Sequence, residues 1–143
     1  MRLGQIAGPF TVTVFTSPTP LRAGPIDVSI LVQDAHSGDV VTDAAITVAL
    51  RANAQPSRTV SGSATRDQAT NKLLYAALLE LPAAGAWQVE IAIERADTTT
   101  TLAFAADAAP PLPPWRTYWP YFALPVIAIA VYGLHQWLVL RRQ

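Results

Sequence analysis

The chain contains no cysteine, and only two of its 143 residues are histidines. The absence of cysteine excludes a disulfide scaffold, a thiolate zinc site and a catalytic thiol. His36 and His135 lie far apart in the sequence, which excludes a histidine-rich metal cluster. Charged residues make up only 14%, and the ten basic residues balance the ten acidic ones. With a hydrophobic content of 51%, this is the composition neither of a disordered chain nor of a nucleic-acid-binding protein.

Formal charge is missing altogether from the segment between Tyr118 and Leu140. As a helix this segment would be about 34 Å long at about 1.5 Å per residue, which exceeds the roughly 30 Å of a bilayer's hydrocarbon core. We therefore predict one C-terminal transmembrane α-helix over residues 117–140, kinked at Pro125; the alternative is a buried helix of a soluble protein. The residues expected at the membrane interfaces are aromatic or basic: Trp115, Tyr118, Trp119, Tyr121, Trp137, Arg141 and Arg142.

The basic residues beside this segment suggest its orientation. Arg141 and Arg142 follow it and Arg116 precedes it, which favours a cytoplasmic tail over residues 141–143. No apolar signal segment is visible in residues 1–17. Either the signal lies upstream of this sequence, or the protein is tail-anchored with a cytoplasmic domain. We expect the first: a single-pass protein of the bacterial inner (cytoplasmic) membrane, with its main domain periplasmic or extracellular.

Short segments of alternating apolar and polar residues fill the chain before the helix. The segment Lys72–Leu81 is compatible with either a helix or a strand, and we predict a strand because its neighbours are all strands. A further weak edge strand is expected at Arg58–Val60. We predict an all-β domain over residues 1–105, an immunoglobulin-like antiparallel β-sandwich of six or seven strands. The principal predicted strands are Phe10–Phe15, Ile26–Gln33, Ala45–Ala52, Lys72–Leu81, Ala86–Glu94 and Thr98–Ala105.

Proline is concentrated in residues 106–116, between the predicted sandwich and the predicted helix. Four of the five positions from Pro110 to Pro114 are proline. Proline-rich segments favour the extended polyproline II conformation, which acts as a semi-rigid spacer. The sequence therefore predicts a short, stiff stalk.

Three segments carry a resemblance to a known family. They are Phe10–Val14, Pro25–Ile30 after the turn at Gly24, and Leu81–Trp87, which leads into Val89. Over residues 8–106 the chain resembles the YtkA-like/FixH-like group of small, membrane-attached β-sandwich domains on the outer side of bacterial membranes. The resemblance implies a context of respiratory oxidase assembly and metal handling, and it supplies no catalytic residue.

Within the sandwich, the candidate metal-binding residues are few. Asp34, His36 and Asp39 could hold a cation weakly, but an Asp-, Ser- and Gly-rich segment of this kind is usually a turn. Copper would require imidazole or thioether ligands, and no His-x-His or methionine-rich stretch is present. No serine is paired with a histidine in a way that suggests a nucleophile and its base. We expect no enzyme activity, no catalytic residue, no metal site and no cofactor.

The predicted helix carries small and polar residues that a simple anchor would not need. His135 has three readings: an imidazole at headgroup depth, a polar contact to a neighbouring helix together with Gln136, or an axial ligand to haem or chlorophyll. The residues predicted to pack against another helix are Ala123, Pro125, Ala130, Gly133, His135 and Gln136.

These features predict a non-catalytic, single-span accessory or structural subunit. It would dock a periplasmic β-sandwich on a larger bacterial membrane complex, respiratory or photosynthetic. Two alternatives remain: a metal-delivery or assembly factor for a terminal oxidase, and a module that binds an extracellular ligand. The expected partners are an integral membrane protein complex and the lipid bilayer, with no nucleic acid and no identified small-molecule substrate.

Overall fold

A computed structural model describes residues 2–140, except for the side chain of Arg2 and some side chains of the C-terminal helix. Eight strands precede one helix. Their bounds are β1 (Arg2–Ala7), β2 (Phe10–Ser17), β3 (Gly24–Asp34), β4 (Ala45–Ala52), β5 (Thr59–Ala64), β6 (Tyr75–Leu81), β7 (Gly85–Arg95), β8 (Thr98–Ala108) and α1 (Pro114–Leu140).

The eight strands form two four-stranded antiparallel sheets. The first sheet has the order β1-β2-β3-β6 and the second has the order β5-β4-β7-β8. The chain leaves the first sheet after β3, builds β4 and β5 in the second, and returns for β6. A short antiparallel bridge between Thr65 and Ala76 links the end of β5 to the start of β6. The prediction of an all-β sandwich is confirmed.

The core lies between the sheets and is built from the inward residues of each alternating strand. Trp87 is 1% exposed and its indole N–H donates a hydrogen bond to the carbonyl of Ala83 at 3.2 Å. The inward residues of β2, β3, β4 and β7 are all buried: Phe10, Val12, Val14, Ile26, Val28, Ile30, Val32, Ile46, Val48, Leu50, Trp87, Val89, Ile91 and Ile93.

The strand count was wrong: the sandwich has eight strands, where the pattern predicted six or seven. The missed strand is β1. Three of its residues pair with inward residues of β2, and of these Ala7 is buried, Leu3 is half-buried and Gln5 is exposed. An edge strand buries little, so its sequence does not need strict alternation. Strand β5 also continues beyond its predicted end at Val60, as far as Ala64. The alternation did not reveal this continuation, because Gly62 stands at the next inward position in place of an apolar side chain.

Two further strand bounds differ from their predictions. Strand β6 begins at Tyr75, three residues after the predicted Lys72, and Leu73 is 50% exposed. Residues Asn71 to Leu74 instead form a turn, in which the Asn71 carboxamide accepts the N–H of Leu73 at 3.0 Å. Strand β8 continues to Ala108, beyond the predicted end at Ala105, and Ala106 and Ala108 are buried.

The chain divides into two compact units, Met1–Pro111 and Leu112–Gln143. The buried core cluster draws only on residues 7–108, so the first unit contains its whole hydrophobic core and is expected to fold alone. The second unit contains α1, which begins at Pro114, three residues before the predicted start. Among the described residues, no helix combines the length and apolar character needed to cross a membrane.

Candidate docking surface

The two outward faces of the sandwich differ in chemistry. Residues that alternate with the core point away from it, so each sheet presents one outer face. On the second sheet this face is made of hydroxyl, amide, charged and small side chains, such as Thr47, Ser61, Gln88, Glu90 and Thr101. That is the composition of an ordinary solvated sheet face. Glu90 and Glu94 on this face are exposed.

The outer face of the first sheet carries large apolar side chains. We call the set Ile6, Phe15, Leu31 and Leu78 the apolar face. Ile6 and Leu78 are 71% and 65% exposed, whereas Phe15 and Leu31 are half-buried. Each lies next to a buried residue in its own strand, so it points outward by alternation.

The strand register places these four side chains across the whole width of the sheet. Ile6 lies opposite Thr11, and Leu31 lies opposite Thr13. Leu78 lies opposite Asp27 on the other side of β3. Thr13, at the centre of this face, is only 9% exposed. The four residues lie in four different rows of the register, and the face that they mark is a candidate surface for contact with another molecule.

The loop that contains His36 is a hydrogen-bonded turn. The Asp34 carboxylate accepts the N–H groups of His36 at 2.9 Å and Ser37 at 3.0 Å, and the Asp34 N–H donates to the Asp39 carbonyl at 2.9 Å. The hydrogen bonds from Ser37 and His36 hold the pKa of Asp34 below its ordinary value of 3.8. His36 and Asp39 are exposed. The Asp34 carboxylate is thus engaged in closing the loop.

The described residues bring no three histidine, cysteine, aspartate or glutamate side chains into an arrangement that could hold a metal ion. Asp34 borders an open groove with a volume of about 330 Å³, beside the ion pair between Arg95 and Asp43 at 2.9 Å. Both partners of that pair are well exposed, so solvent weakens their attraction.

The predicted site residues of the helix are placed only in part. Pro125, Ala130 and His135 are exposed on α1, and Ala123 is half-buried. Tyr118 and Tyr121 form a tilted ring pair with centroids 6.5 Å apart, and Trp119 and Trp137 are also exposed. The remaining predicted positions lie outside the described residues or side chains: Trp115, Gly133, Gln136, Arg141 and Arg142.

The sequence reasoning did not identify the apolar face. Phe15 and Leu31 lie at outward positions of two predicted strands, so the alternation itself contained this signal. Ile6 lies in the strand that was missed, and Leu78 stands beside Leu79, where two adjacent leucines obscure the alternation.

Comparison with known proteins supports the fold. No protein-family model and no curated protein matches the chain. Among solved structures, the chain is similar to a DUF4426 family protein from Pseudomonas aeruginosa, with a TM-score of 0.59 and 12% sequence identity. The match covers 78% of this chain and 97% of that chain. At this identity the likeness shows the fold alone, a mostly antiparallel all-β architecture.

Proposed function

We propose that the protein is a non-catalytic accessory subunit that docks its β-sandwich on a larger bacterial membrane complex. The observation that carries the proposal is the apolar face, where Ile6 and Leu78 expose most of their side chains to solvent. Burying both would stabilise a complex by about 25 cal/mol for each Å² of apolar surface removed from water. The other outer face of the sandwich is polar and offers no comparable gain.

Attachment to the membrane by a C-terminal span is the second part of the proposal. It is supported by the sequence, in which the 23 residues from Tyr118 to Leu140 carry no formal charge. Aromatic residues are found near both ends of this segment, as they are at membrane–water interfaces. The small and polar residues from Ala130 to Gln136 favour packing against a neighbouring helix over a bare lipid anchor.

The orientation belongs to the same proposal: a periplasmic or extracellular sandwich and a cytoplasmic tail, held in the inner membrane. The resemblance to the YtkA-like/FixH-like group supports an exported domain, and Arg141 and Arg142 support the position of the tail. For His135 we retain the contact with a neighbouring helix as the working proposal. Under the alternative role of an oxidase assembly factor, binding to the partner would be transient.

Docking can be tested by changing the apolar face without touching the core. The variant Ile6→Ser/Leu78→Ser, expressed in the full chain, should reach the membrane at normal levels but lose its partner during purification in mild detergent. The matched control is Thr99→Ala/Thr101→Ala on the polar face, where both threonines are exposed. The control should retain the partner. Equal partner recovery with both variants would contradict docking through the apolar face.

Membrane attachment is tested separately by alkaline carbonate extraction. The full chain should remain in the membrane pellet, and a version ending at Pro111 should be released. Release of the full chain would contradict a membrane span and leave the docking experiment unaffected.

A further inference from the structure

An open groove of about 320 Å³ lies between the start of β4 and the end of β5. Its polar lining residues are Thr47, Ser63, Thr65, Arg66, Asp67 and Tyr75. In the strand register, Ala45 and Thr99 lie at one end of the second sheet, and Ala52 and Ala106 lie at the other. The groove is therefore at the end of the sandwich opposite the one where β8 leads into the proline-rich segment.

Arg66 is held at this groove by two backbone carbonyl groups. Its Nε donates to the carbonyl of Lys72 at 2.7 Å, and its Nη1 donates to the carbonyl of Thr42 at 3.3 Å. A guanidinium group carries five N–H donors, so these two contacts leave three. Holding the planar group in place reduces the entropy that it loses when a ligand binds.

The positive charge of Arg66 is not neutralised by an ion pair among the described residues. The ion pair found there joins Arg95 and Asp43 instead. Lys72 adds a second positive charge, because its Nζ donates to the carbonyls of Arg66 and Asp67, each at 3.1 Å. Asp67 borders the groove and supplies one negative charge. Together these three groups leave one net positive charge at the groove, which attracts an anion.

Tyr75 contributes a hydroxyl group with a proton to donate. Its side chain is 3% exposed, and its oxygen accepts the N–H of Ala44 at 3.1 Å. A phenolic oxygen that accepts one hydrogen bond keeps its own O–H as a donor. Arg66 contacts Thr42 and Tyr75 contacts Ala44, so both groups converge on the same three-residue segment.

We propose that this groove binds a carboxylate group presented by a peptide segment of a partner. A carboxylate matches the remaining N–H donors of Arg66, which can bind its two oxygens in parallel. The Tyr75 O–H supplies a third donor, and the exposed hydroxyls of Thr47 and Ser63 line the wall. This site belongs to the sandwich alone and does not depend on membrane attachment or on the apolar face.

The test uses residues 1–111, which contain the whole core, labelled with ¹⁵N and observed by NMR at low ionic strength. Three peptides serve as probes: a capped Gly-Glu-Gly, a Gly-Gly-Gly with a free C-terminus, and a fully capped Gly-Gly-Gly. A carboxylate peptide should shift the backbone amides of Ala44, Thr47 and Ser63 with a dissociation constant on the order of 1 mM. The fully capped peptide should leave them unchanged.

The first two probes separate a side-chain carboxylate from a terminal one. Shifts with only one of them identify the source, and equal shifts show that the groove reads the carboxylate itself. Absence of shifts with both, or equal shifts with the uncharged peptide, would overturn the proposal.

Variants then assign the binding to the named groups. Arg66→Lys keeps the charge but removes the planar fork, and Tyr75→Phe keeps the ring but removes the hydroxyl. Each should weaken binding about tenfold, since each removes a hydrogen bond to a charged ligand. The matched control, Arg95→Lys, lies outside the groove and should bind as the wild type does. If Arg66→Lys fails to fold, Tyr75→Phe decides; unchanged affinity in a folded variant would contradict the assignment.

Discussion

Replacing Trp87 by alanine should destabilise the sandwich more than most other single substitutions would. The side chain is 1% exposed in the middle of the core, and its indole N–H is bonded to the carbonyl of Ala83. A buried Trp→Ala substitution costs about 3–5 kcal/mol through lost transfer energy and the cavity left behind. The lost hydrogen bond adds about 1 kcal/mol or less, because Ala83 is half-exposed and water can reach its carbonyl.

The size of the domain converts this loss into a melting temperature. For a domain of about 100 residues, each kcal/mol lowers Tm by about 4 °C or more. A loss of about 4 kcal/mol should therefore lower the Tm of residues 1–111 by at least about 15 °C. Trp87 is the sole tryptophan in residues 1–111, so its fluorescence disappears with the substitution. Far-ultraviolet circular dichroism is the appropriate readout.

Two companion variants separate the cavity from other effects. Trp87→Phe fills part of the space and should fall between the wild type and Trp87→Ala. Leu78→Ala removes a side chain that is 65% exposed and should change the unfolding free energy by no more than about 0.5 kcal/mol. If the Trp87→Ala domain melts within a few degrees of the wild type, the assignment of Trp87 and its alternate neighbours on β7 to the core would be refuted.

Three further predictions follow from local geometry. Gly8 has a φ of +58°, and a Cβ there would lie 3.0 Å from the Thr100 hydroxyl oxygen. Gly8→Ala should therefore lower the free energy of unfolding, measured by urea denaturation, by about 1–2 kcal/mol. Gly4→Ala should leave it nearly unchanged, because the atom nearest to its Cβ would be 3.8 Å away. Because the pKa of Asp34 is lowered by folding, its carboxylate adds stability that is fully present above pH 3.8, the ordinary pKa, and is lost as the pH falls through the lower folded-state pKa. Asp34→Asn should therefore reduce the decrease of Tm as the pH falls below 3.8. A cysteine at the exposed Ser63 should react with an impermeant maleimide in intact spheroplasts; labelling only after lysis would place the sandwich in the cytoplasm.

The sequence predicted those parts of the fold that local alternation encodes. Strand β4 has its predicted bounds, Ala45–Ala52, because three consecutive inward residues are large and apolar, whereas the residues that alternate with them are small, polar or charged. Strand β1 escaped because an edge strand buries few side chains. Its pairing with β2 depends on backbone hydrogen bonds, which any residue except proline can supply.

The groove at Arg66 could not be predicted, because its parts come from distant segments. Tyr75 lies within the predicted strand Lys72–Leu81, but its hydroxyl contacts the backbone of Ala44, 31 residues earlier in the chain. Arg66 lies outside every predicted strand. Its side chain acquires a fixed position from the carbonyls of Lys72 and Thr42, and no residue spacing in the sequence encodes those contacts.

Photocrosslinking from the apolar face tests the central claim most directly. A benzophenone amino acid replaces Leu78 in the full chain, and irradiation of intact cells links it to whatever lies against that side chain. The account predicts one discrete adduct with an integral membrane protein, and no such adduct when the same group replaces the exposed Thr101 on the polar face. Adducts of equal yield from both positions, or none from position 78 in cells where the chain is present at normal levels, would contradict docking through the apolar face.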